Sequence, residues 1–320
     1  MVGVSVDGER TLARWAPRAE ITERPAPVAG KRLATPVFEI GSLTKPLTGA
    51  LLADAHLRGE VTLGDRLVMH LPHAAGWPVG EATLEQLATH RSGLPNTPRT
   101  MLARELAVLA RIRRSDPWSG VDESAYRALV RRIDLRPPRL HRVRYSSIAF
   151  GLLGDALACR ARRSYEGLLR ERLLEPLGMR DTNVNGPSSL SGRSRRGRPR
   201  PAMHDRMIAA GGVRSTADDV LRWLEACLRP PAQSPGPALA FAQRPRVHAA
   251  RRIDLGLGWI VTQAHRSRPT IVWHNGLTYG FRSFAAFAPD AGVAVVALAN
   301  TTRGLERLGF SLIDDHLTRG

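Results

Sequence analysis

Ser42 and Lys45 are the first residues of the chain whose types and spacing could perform chemistry. A serine hydroxyl becomes a nucleophile when a base removes its proton, and a lysine shielded from water can be that base. Three positions apart on a helix, they share one face. The 47 basic residues include only two lysines, Lys31 and Lys45, and arginine holds its proton too tightly to replace a base. A capping serine followed by a solvated lysine would give the same pattern.

Tyr145, in the segment "VRYSSIAFGLLG", is the next candidate. A phenol can pass a proton if a nearby cation lowers its pKa, and Lys45 is such a cation. Ser146 and Ser147 follow at the start of a predicted helix. A packed tyrosine beside two capping serines is the simpler interpretation of this segment on its own.

His274 ends an apolar strand and is followed by Asn275-Gly276. Glycine allows a ligand or another backbone to approach closely, whereas Asn-Gly is also the strongest two-residue hairpin signal. His90, in "THRSGLP", is interpreted as a turn-stabilising histidine. Three further histidines have no carboxylate or histidine partner at metal-ligand spacing: His56, His70 and His73. We therefore expect neither a metal site nor a cofactor.

The elements that position these residues are read from periodicity and turn signals. Residues 2–16 alternate like a hairpin turning at Asp7-Gly8, and residues 42–58 have a helical pattern that Gly41 or Ser42 would cap. The last 65 residues read as an antiparallel meander followed by a helix over 303–318. Further helices are predicted over 101–114 and 122–133, in "IAFGLLGDALACRA", in "SYEGLLRERLLEPLG" and after a capping box at Ser215 or Thr216.

The predicted fold class is α/β (α+β): an antiparallel sheet flanked by helices, with a helical lobe inserted. Residues 1–49 and 206–320 form the sheet lobe, residues 50–205 form the helical lobe, and the site lies in the cleft between them. Residues 186–201, rich in Gly, Ser, Pro and Arg, are expected to be a mobile loop, and residues 230–237 a loose connection.

Composition narrows the class of protein. The net charge of +18 comes from scattered arginines with few aromatic residues, so we expect no nucleic-acid partner. The sequence contains no run of 18 apolar residues, so we expect no membrane-spanning helix. The N-terminus lacks the features of a signal peptide. A cytoplasmic location is therefore expected.

Taken in order, three elements resemble those of the serine β-lactamase and penicillin-binding-protein superfamily. They are Ser42-Leu-Thr-Lys45, Tyr145-Ser-Ser147 and His274-Asn-Gly276. The connecting segments "LATHRSGLP", "AGGVRSTADDV" and "FAPDAGVAVVALAN" also resemble this family, in its branch of cephalosporinase-type β-lactamases, D-alanyl-D-alanine carboxypeptidases and esterases. The resemblance covers residues 3 to 317.

The resemblance implies a role for each matching residue. Ser42 would be the acylated nucleophile, Lys45 its activating partner, and Tyr145 the general base and the acid toward the leaving group. The backbone N–H groups of Ser42 and Leu277 would form the oxyanion hole. Ser147 and the segment 274–276 would bind substrate.

Three departures from the family pattern bear on the substrate. Ser147 stands where the family usually has asparagine, and His274 where many members have lysine, so amide and carboxylate binding are both weakened. Leu277 and Tyr279 add bulk where relatives often carry glycine. The changes at Ser147 and His274 count against an efficient β-lactamase and fit an esterase, a D-amino-acid peptidase or an acyltransferase.

The sequence therefore predicts a serine hydrolase or acyltransferase that forms an acyl-enzyme at Ser42 with an ester, amide or peptide. One alternative is a thioesterase or cyclase of penicillin-binding-protein type acting on carrier-bound non-ribosomal peptides, with the basic loop 193–200 contacting an acyl or peptidyl carrier protein. Another is a catalytically weak binding or sensor member of the same fold.

Overall fold

An antiparallel sheet between helices forms the frame of the protein in this computed structural model. The structure describes residues 1–14, 35–110, 112, 115–133, 135, 142–184, 186, 188–203, 207–266 and 268–317. The predicted fold class is confirmed. The division into lobes at residues 49/50 and 205/206 stays a prediction.

The strands occupy the two ends of the chain. Their bounds are β1 Val2–Val6, β2 Glu9–Ala13, β3 Phe38–Glu39, β4 Arg214–Ser215, β5 Val247–Ala250, β6 Ile253–Leu255, β7 Ile260–Thr262, β8 Ile271–Leu277, β9 Arg282–Ala288 and β10 Val293–Ala299. The main sheet runs in the order β2-β1-β10-β9-β8-β7-β6-β5, and β3 pairs with β4 separately.

The N-terminal hairpin completes the C-terminal meander, as the sequence predicted. Strand β1 pairs antiparallel with β10, with Val4 opposite Val295. The hairpin turns at Asp7 (φ 50°) and Gly8 (φ 94°), where two consecutive positive φ angles match the right-handed twist of the flanking strands. Strand β2 ends at Ala13, and residues 15 and 16 lie outside the described residues.

Alternation along β9 and β10 divides the core between the two faces of the sheet. Val296 and Phe287 belong to the large cluster that the helix Ala217–Leu228 covers, whereas Val295 belongs to a smaller cluster with Ile313 of the last helix, Glu306–Leu317. Because successive side chains of a strand point to opposite faces, these apolar strands are buried on both sides.

The helices lie mostly between the two groups of strands. Their bounds are α1 Thr44–Leu57, α2 Leu67–His70, α3 Leu84–Ala88, α4 Leu102–Leu109, α5 Glu123–Arg131, α6 Ser147–Ala161, α7 Tyr165–Leu169, α8 Ile208–Gly211, α9 Ala217–Leu228, α10 Gly236–Ala242 and α11 Glu306–Leu317. Thr216 caps α9, since its side chain accepts from the backbone N–H of Asp219.

Helix α1 runs through the centre of the molecule and is buried over residues 44–55. Its apolar residues surround the axis because it packs against α6, α8 and α10 on different sides. A side chain at Gly49 would place its Cβ 1.9 Å from the carbonyl oxygen of Leu257, so only glycine fits this close contact. The helix is thereby held rigidly against the end of the sheet that carries β6 and β7.

Four local predictions differ from the structure. Ser42 does not cap α1: it lies in a 3₁₀ turn, Gly41–Leu43, before the helix. The segment 186–201 was expected to be a loop, but residues 193–199 form a short hairpin in which Arg193 pairs with Pro199. The backbone N–H of Arg193 also donates to the carbonyl of Gly280. Helix α10 begins at Gly236 inside the expected loose connection. The helix expected over 101–114 ends at Leu109, and residues 111, 113 and 114 lie outside the described residues.

Candidate active site

Ser42 lies in the 3₁₀ turn that links β3 to α1, which we call the nucleophile turn (Gly41–Leu43). Gly41 has φ +53°, and a Cβ there would lie 2.9 Å from both the backbone nitrogen and the oxygen of Leu277. The serine backbone is therefore pressed against the end of β8. A left-handed backbone conformation favours glycine, and the close contact with Leu277 leaves no room for a side chain. The turn therefore requires glycine at position 41 for both reasons.

Lys45 lies one turn further and is fully buried. Its ammonium donates to Ser42 Oγ at 3.0 Å, to Ser147 Oγ at 3.3 Å and to the carbonyl oxygen of Ala210 at 2.7 Å. These acceptors use all three donors of a lysine. Burial disfavours the charged form and lowers the pKa of Lys45 to about 7. A neutral amine is thus available near neutral pH, as the predicted base requires.

Tyr145 approaches the nucleophile from the other side, since its Oη donates to Ser42 Oγ at 2.8 Å. Lys45 Nζ lies 4.8 Å from the centroid of the Tyr145 ring. The residue keeps 39 % of its surface exposed, yet burial at the hydroxyl end raises the pKa of Tyr145 to about 12. We expected the nearby cation to lower this pKa, and that expectation was wrong because desolvation dominates. At neutral pH the phenol is a proton donor.

Ser147 opens α6 and contributes its hydroxyl to the lysine, and the backbone N–H of Ser147 donates to Asn96 Oδ1 at 3.1 Å. The sequence analysis missed Asn96. Asn96 directly follows the segment "SGLP", and asparagine is a common turn residue. The sequence therefore offers no sign that its side chain contacts Ser147.

Strand β8 brings Gly276 and Leu277 against the nucleophile turn. A Cβ at Gly276 would lie 2.0 Å from the carbonyl oxygen of Ile40, so a side chain there would force the strand away from the turn. Thr278 donates its N–H to the carbonyl of Phe281. Because hydrogen-bonded and non-bonded pairs alternate in an antiparallel ladder, the N–H of Leu277 points away from β9. The side chain of Leu277 is 51 % exposed.

His274 is buried at 2 % exposure, and its Nδ1 donates to the carbonyl oxygen of Asn275 at 2.5 Å. A carbonyl oxygen only accepts, so Nδ1 carries the proton and Nε2 of the neutral ring is an acceptor. Burial, together with the charge of Lys45, lowers the pKa of His274 to about 3. The ring is therefore uncharged near pH 7, unlike the lysine that the family pattern led us to compare it with.

Asn275 was expected to bind substrate, but its side chain points to the opposite face of β8. Its Nδ2 donates to Glu306 Oε1 at 2.7 Å, at the first residue of α11. Neighbouring residues of a strand face opposite sides, so His274 and Gly276 face the site while Asn275 does not. Of the segment 274–276, the structure places His274 beside Tyr145, with ring centroids 6.3 Å apart, and Gly276 against the carbonyl of Ile40.

His90 was interpreted as a turn residue, yet the structure places it against Tyr145, with ring centroids 4.5 Å apart. Its Nδ1 accepts from the backbone N–H of Ser146 at 3.1 Å. The residues are more than fifty positions apart in sequence, so no local pattern could have shown the contact.

Two spaces lie in this part of the molecule, and the smaller one adjoins Tyr145. A cavity of about 90 Å³ lies beside Tyr145 and His274 and has Trp259 and Ile260 among its walls. A larger groove of about 840 Å³ lies on the side of Asn96. Within the described ranges, no three His, Cys, Asp or Glu side chains cluster so as to hold a metal ion, and no helix there is long and apolar enough to cross a membrane.

A serine hydroxyl contacted by a buried amine and by a phenol, at the edge of an antiparallel sheet, defines the class of a serine hydrolase. Comparison with known proteins gives the family. The model of the Beta-lactamase family matches residues 1–317, so this chain belongs to the β-lactamase family.

Relatives of two activities are similar to the chain. A protein of Escherichia coli K12 named D-alanyl-D-alanine-carboxypeptidase/endopeptidase AmpH is 29% identical over 275 residues, which cover 80% of this chain and 69% of the relative. A β-lactamase of the same organism is 26% identical over 303 residues, covering 82% of this chain and 75% of that protein.

Solved structures agree on the fold. A class C β-lactamase of Rhodobacter sphaeroides superposes with a TM-score of 0.77 at 24% identity, covering 99% of this chain and 93% of that one. The D-alanine carboxypeptidase AmpC of Burkholderia cenocepacia gives 0.75 at 24% identity, covering 98% and 92%. The chain is an enzyme, a serine hydrolase of β-lactamase fold.

Proposed function

We propose that the enzyme forms an acyl-enzyme at Ser42, with Lys45 as the base and Tyr145 as the acid toward the leaving group. One observation carries this proposal: Ser42 Oγ lies 3.0 Å from Lys45 Nζ and 2.8 Å from Tyr145 Oη. The assignment of base and acid follows from the pKa values, since burial lowers that of Lys45 to about 7 and raises that of Tyr145 to about 12.

The steps conserve protons. Neutral Lys45 takes the proton of Ser42 as Oγ bonds to the substrate carbonyl carbon, and the N–H groups of Ser42 and Leu277 hold the developing oxyanion. The bond to the leaving group then breaks, and that group takes the proton of Tyr145. The ammonium of Lys45 then returns a proton to Tyr145 by way of Ser42 Oγ, which lies between the two groups. Water repeats the sequence in reverse and releases the acid.

We propose esters as the preferred substrates, ahead of β-lactams and peptides with a terminal carboxylate. His274 is neutral, so it offers a substrate carboxylate no permanent positive charge. Ser147, whose hydroxyl already accepts from Lys45, offers less reach toward a substrate amide than asparagine would. Acetyl-D-alanyl-D-alanine and its C-terminal amide form a matched pair that tests the charge argument: His274→Lys should raise kcat/KM for the acid by about tenfold or more and leave the amide nearly unchanged.

Reaction of Ser42 with a fluorophosphonate, followed by mass spectrometry, tests the acyl-enzyme directly. Wild type should gain the mass of one phosphonyl group on the peptide that contains Ser42, and Ser42→Ala should not. Ser191→Ala, at an exposed serine outside the site, is the matched control and should react like wild type. Absence of labelling in wild type would refute the proposal and support the binding or sensor alternative.

The carrier-protein alternative has one supporting observation. The hairpin over 193–200 exposes Arg193, Arg195, Arg196 and Arg198. Arg200 joins it to the end of α4 by donating to the carbonyl of Val108 at 2.9 Å. We propose this surface as the docking site for an acidic carrier.

Replacing those four arginines by serine should lower kcat/KM for a carrier-bound acyl group at least tenfold and leave a free ester unaffected. Equal turnover of both substrates by wild type and variant would refute carrier docking. A cytoplasmic location stays a proposal from the sequence, and fractionation of cells that express the native gene tests it.

A further inference from the structure

His90 makes hydrogen bonds to the residues on both sides of Tyr145. Its backbone carbonyl oxygen accepts from the N–H of Arg144 at 2.7 Å, and its Nδ1 accepts from the N–H of Ser146 at 3.1 Å. Its ring lies on the Tyr145 ring, with centroids 4.5 Å apart and planes at 40°. One residue therefore restrains the backbone before the tyrosine, the backbone after it and the face of its ring.

The tautomer of His90 follows from the same contacts. A backbone N–H only donates, so Nδ1 must carry a lone pair, and the proton of the neutral ring is on Nε2. Burial lowers the pKa of His90 well below its usual value, and the positive charge of protonated Lys45 acts in the same direction. The ring is therefore an acceptor toward Ser146 near neutral pH.

The backbone of His90 is held in an uncommon conformation. Its φ is +58°, in the left-handed region, and the residue is only 6 % exposed. Such a conformation costs free energy for a residue with a side chain and persists where surrounding contacts fix it. Here the backbone N–H donates to the carbonyl of Leu87, and the contacts with distant parts of the chain lead to the segment around Tyr145 and to the ring of Phe150, whose centroid lies 5.1 Å away.

The contact with Ser146 extends to the start of α6. Ser146 caps this helix by accepting from the N–H of Ala149 at 3.1 Å, and its hydroxyl donates to the carbonyl of Pro95. Ser147, the next residue, places its hydroxyl on Lys45. His90 thus supports the turn that delivers both Tyr145 and Ser147, although its own hydrogen bonds go to neither Ser42 nor Lys45.

We propose that His90 is a positioning residue that fixes the Tyr145 phenol for proton donation to the leaving group. The proposal rests on the role of Tyr145 proposed above. Two variants separate the two kinds of contact. In His90→Asn the amide oxygen takes the place of Nδ1, and asparagine tolerates a positive φ. In His90→Phe the ring remains, but the acceptor is lost.

The diagnostic measurement compares two acetate esters that share an acyl group. A p-nitrophenyl group leaves readily without a proton, whereas an alkoxide must be protonated as it departs, so only the alkyl ester depends strongly on Tyr145. We expect His90→Phe to lower kcat/KM, which reports acylation, by about 10²-fold for the alkyl acetate and by less than about tenfold for p-nitrophenyl acetate. His90→Asn should recover most of the loss. A change of fold alone would lower both rates equally.

Three results would overturn the proposal: an equal loss on both esters, no loss in His90→Phe, or no recovery in His90→Asn. Nitrogen-15 NMR of histidine-labelled wild type gives a readout that needs no variant, and an Nδ1–H or doubly protonated His90 at pH 7 would also overturn it. Fluorophosphonate labelling of Ser42 tests the acyl-enzyme separately, because fluoride leaves without a proton from Tyr145. Retained labelling with an equal loss on both esters would therefore refute His90 positioning alone.

Discussion

The lowered pKa of Lys45 makes the pH dependence of acylation the most informative measurement. If neutral Lys45 is the base, acylation should rise with pH through the pKa of about 7 and then level off. The upper limit is set by Tyr145, whose pKa burial raises to about 12. The pKa values of His90 and His274 are both lowered below the usual histidine range. Titration of these rings therefore does not produce a change in the acylation rate near pH 7.

The magnitude follows from the titration of one group. With a pKa of about 7, the neutral fraction of Lys45 is roughly one tenth at pH 6 and nine tenths at pH 8, a rise of about tenfold. A solvent-exposed lysine would be neutral in only about 3 of 10,000 molecules at pH 7. Burial therefore raises the population of the reactive form about 10³-fold at pH 7.

The assay is the second-order rate of fluorophosphonate labelling at Ser42 between pH 5.5 and 9, which isolates formation of the covalent bond. Lys45→Arg is the matched control: it keeps a cation, loses the base, and should label at least about 10²-fold more slowly with no limb near pH 7. A flat wild-type profile between pH 6 and 8, or a limb still rising at pH 9, would refute Lys45 as the base.

Three further predictions concern neighbouring residues. Gly276→Ala should slow Ser42 labelling more than tenfold and destabilise the fold by about 1–3 kcal/mol, because the new Cβ would overlap the carbonyl before the nucleophile turn. Asn275→Ala should keep kcat/KM within about threefold, since its side chain faces α11, and cost about 1 kcal/mol of stability from the lost hydrogen bond. Ser147→Ala removes an acceptor from the Lys45 ammonium, so the midpoint of the pH–rate limb should move below its wild-type value.

Thermal denaturation and the labelling assay check all three. Gly64→Ala is the control for the glycine, because a Cβ there meets no atom closer than 4.0 Å. Labelling of Gly276→Ala at the wild-type rate would contradict the close contact. A large loss of kcat/KM in Asn275→Ala would mean that the Asn275 side chain takes part in the active site. An upward shift of the midpoint in Ser147→Ala would contradict the hydrogen bond to Lys45.

The sequence by itself determined the chemical groups and the elements that carry them. Ser42 and Lys45 lie three residues apart, so local helical geometry alone places them together. The hairpin at Asp7-Gly8 and the apolar meander ending in β10 follow from local turn chemistry and alternation, which is why these elements were predicted correctly.

The tertiary structure decided what depends on contacts between distant segments. Burial beside Ala210, 165 positions away, lowers the pKa of Lys45 to about 7 and keeps its amine from being a solvated cation. Packing of the helices brings His90 against Tyr145 and raises the pKa of Tyr145. The side chain of Asn275 faces away from the site and donates to Glu306 on α11. Desolvation and the facing of side chains are properties of the packed molecule, so a pattern of residues along the chain does not contain them.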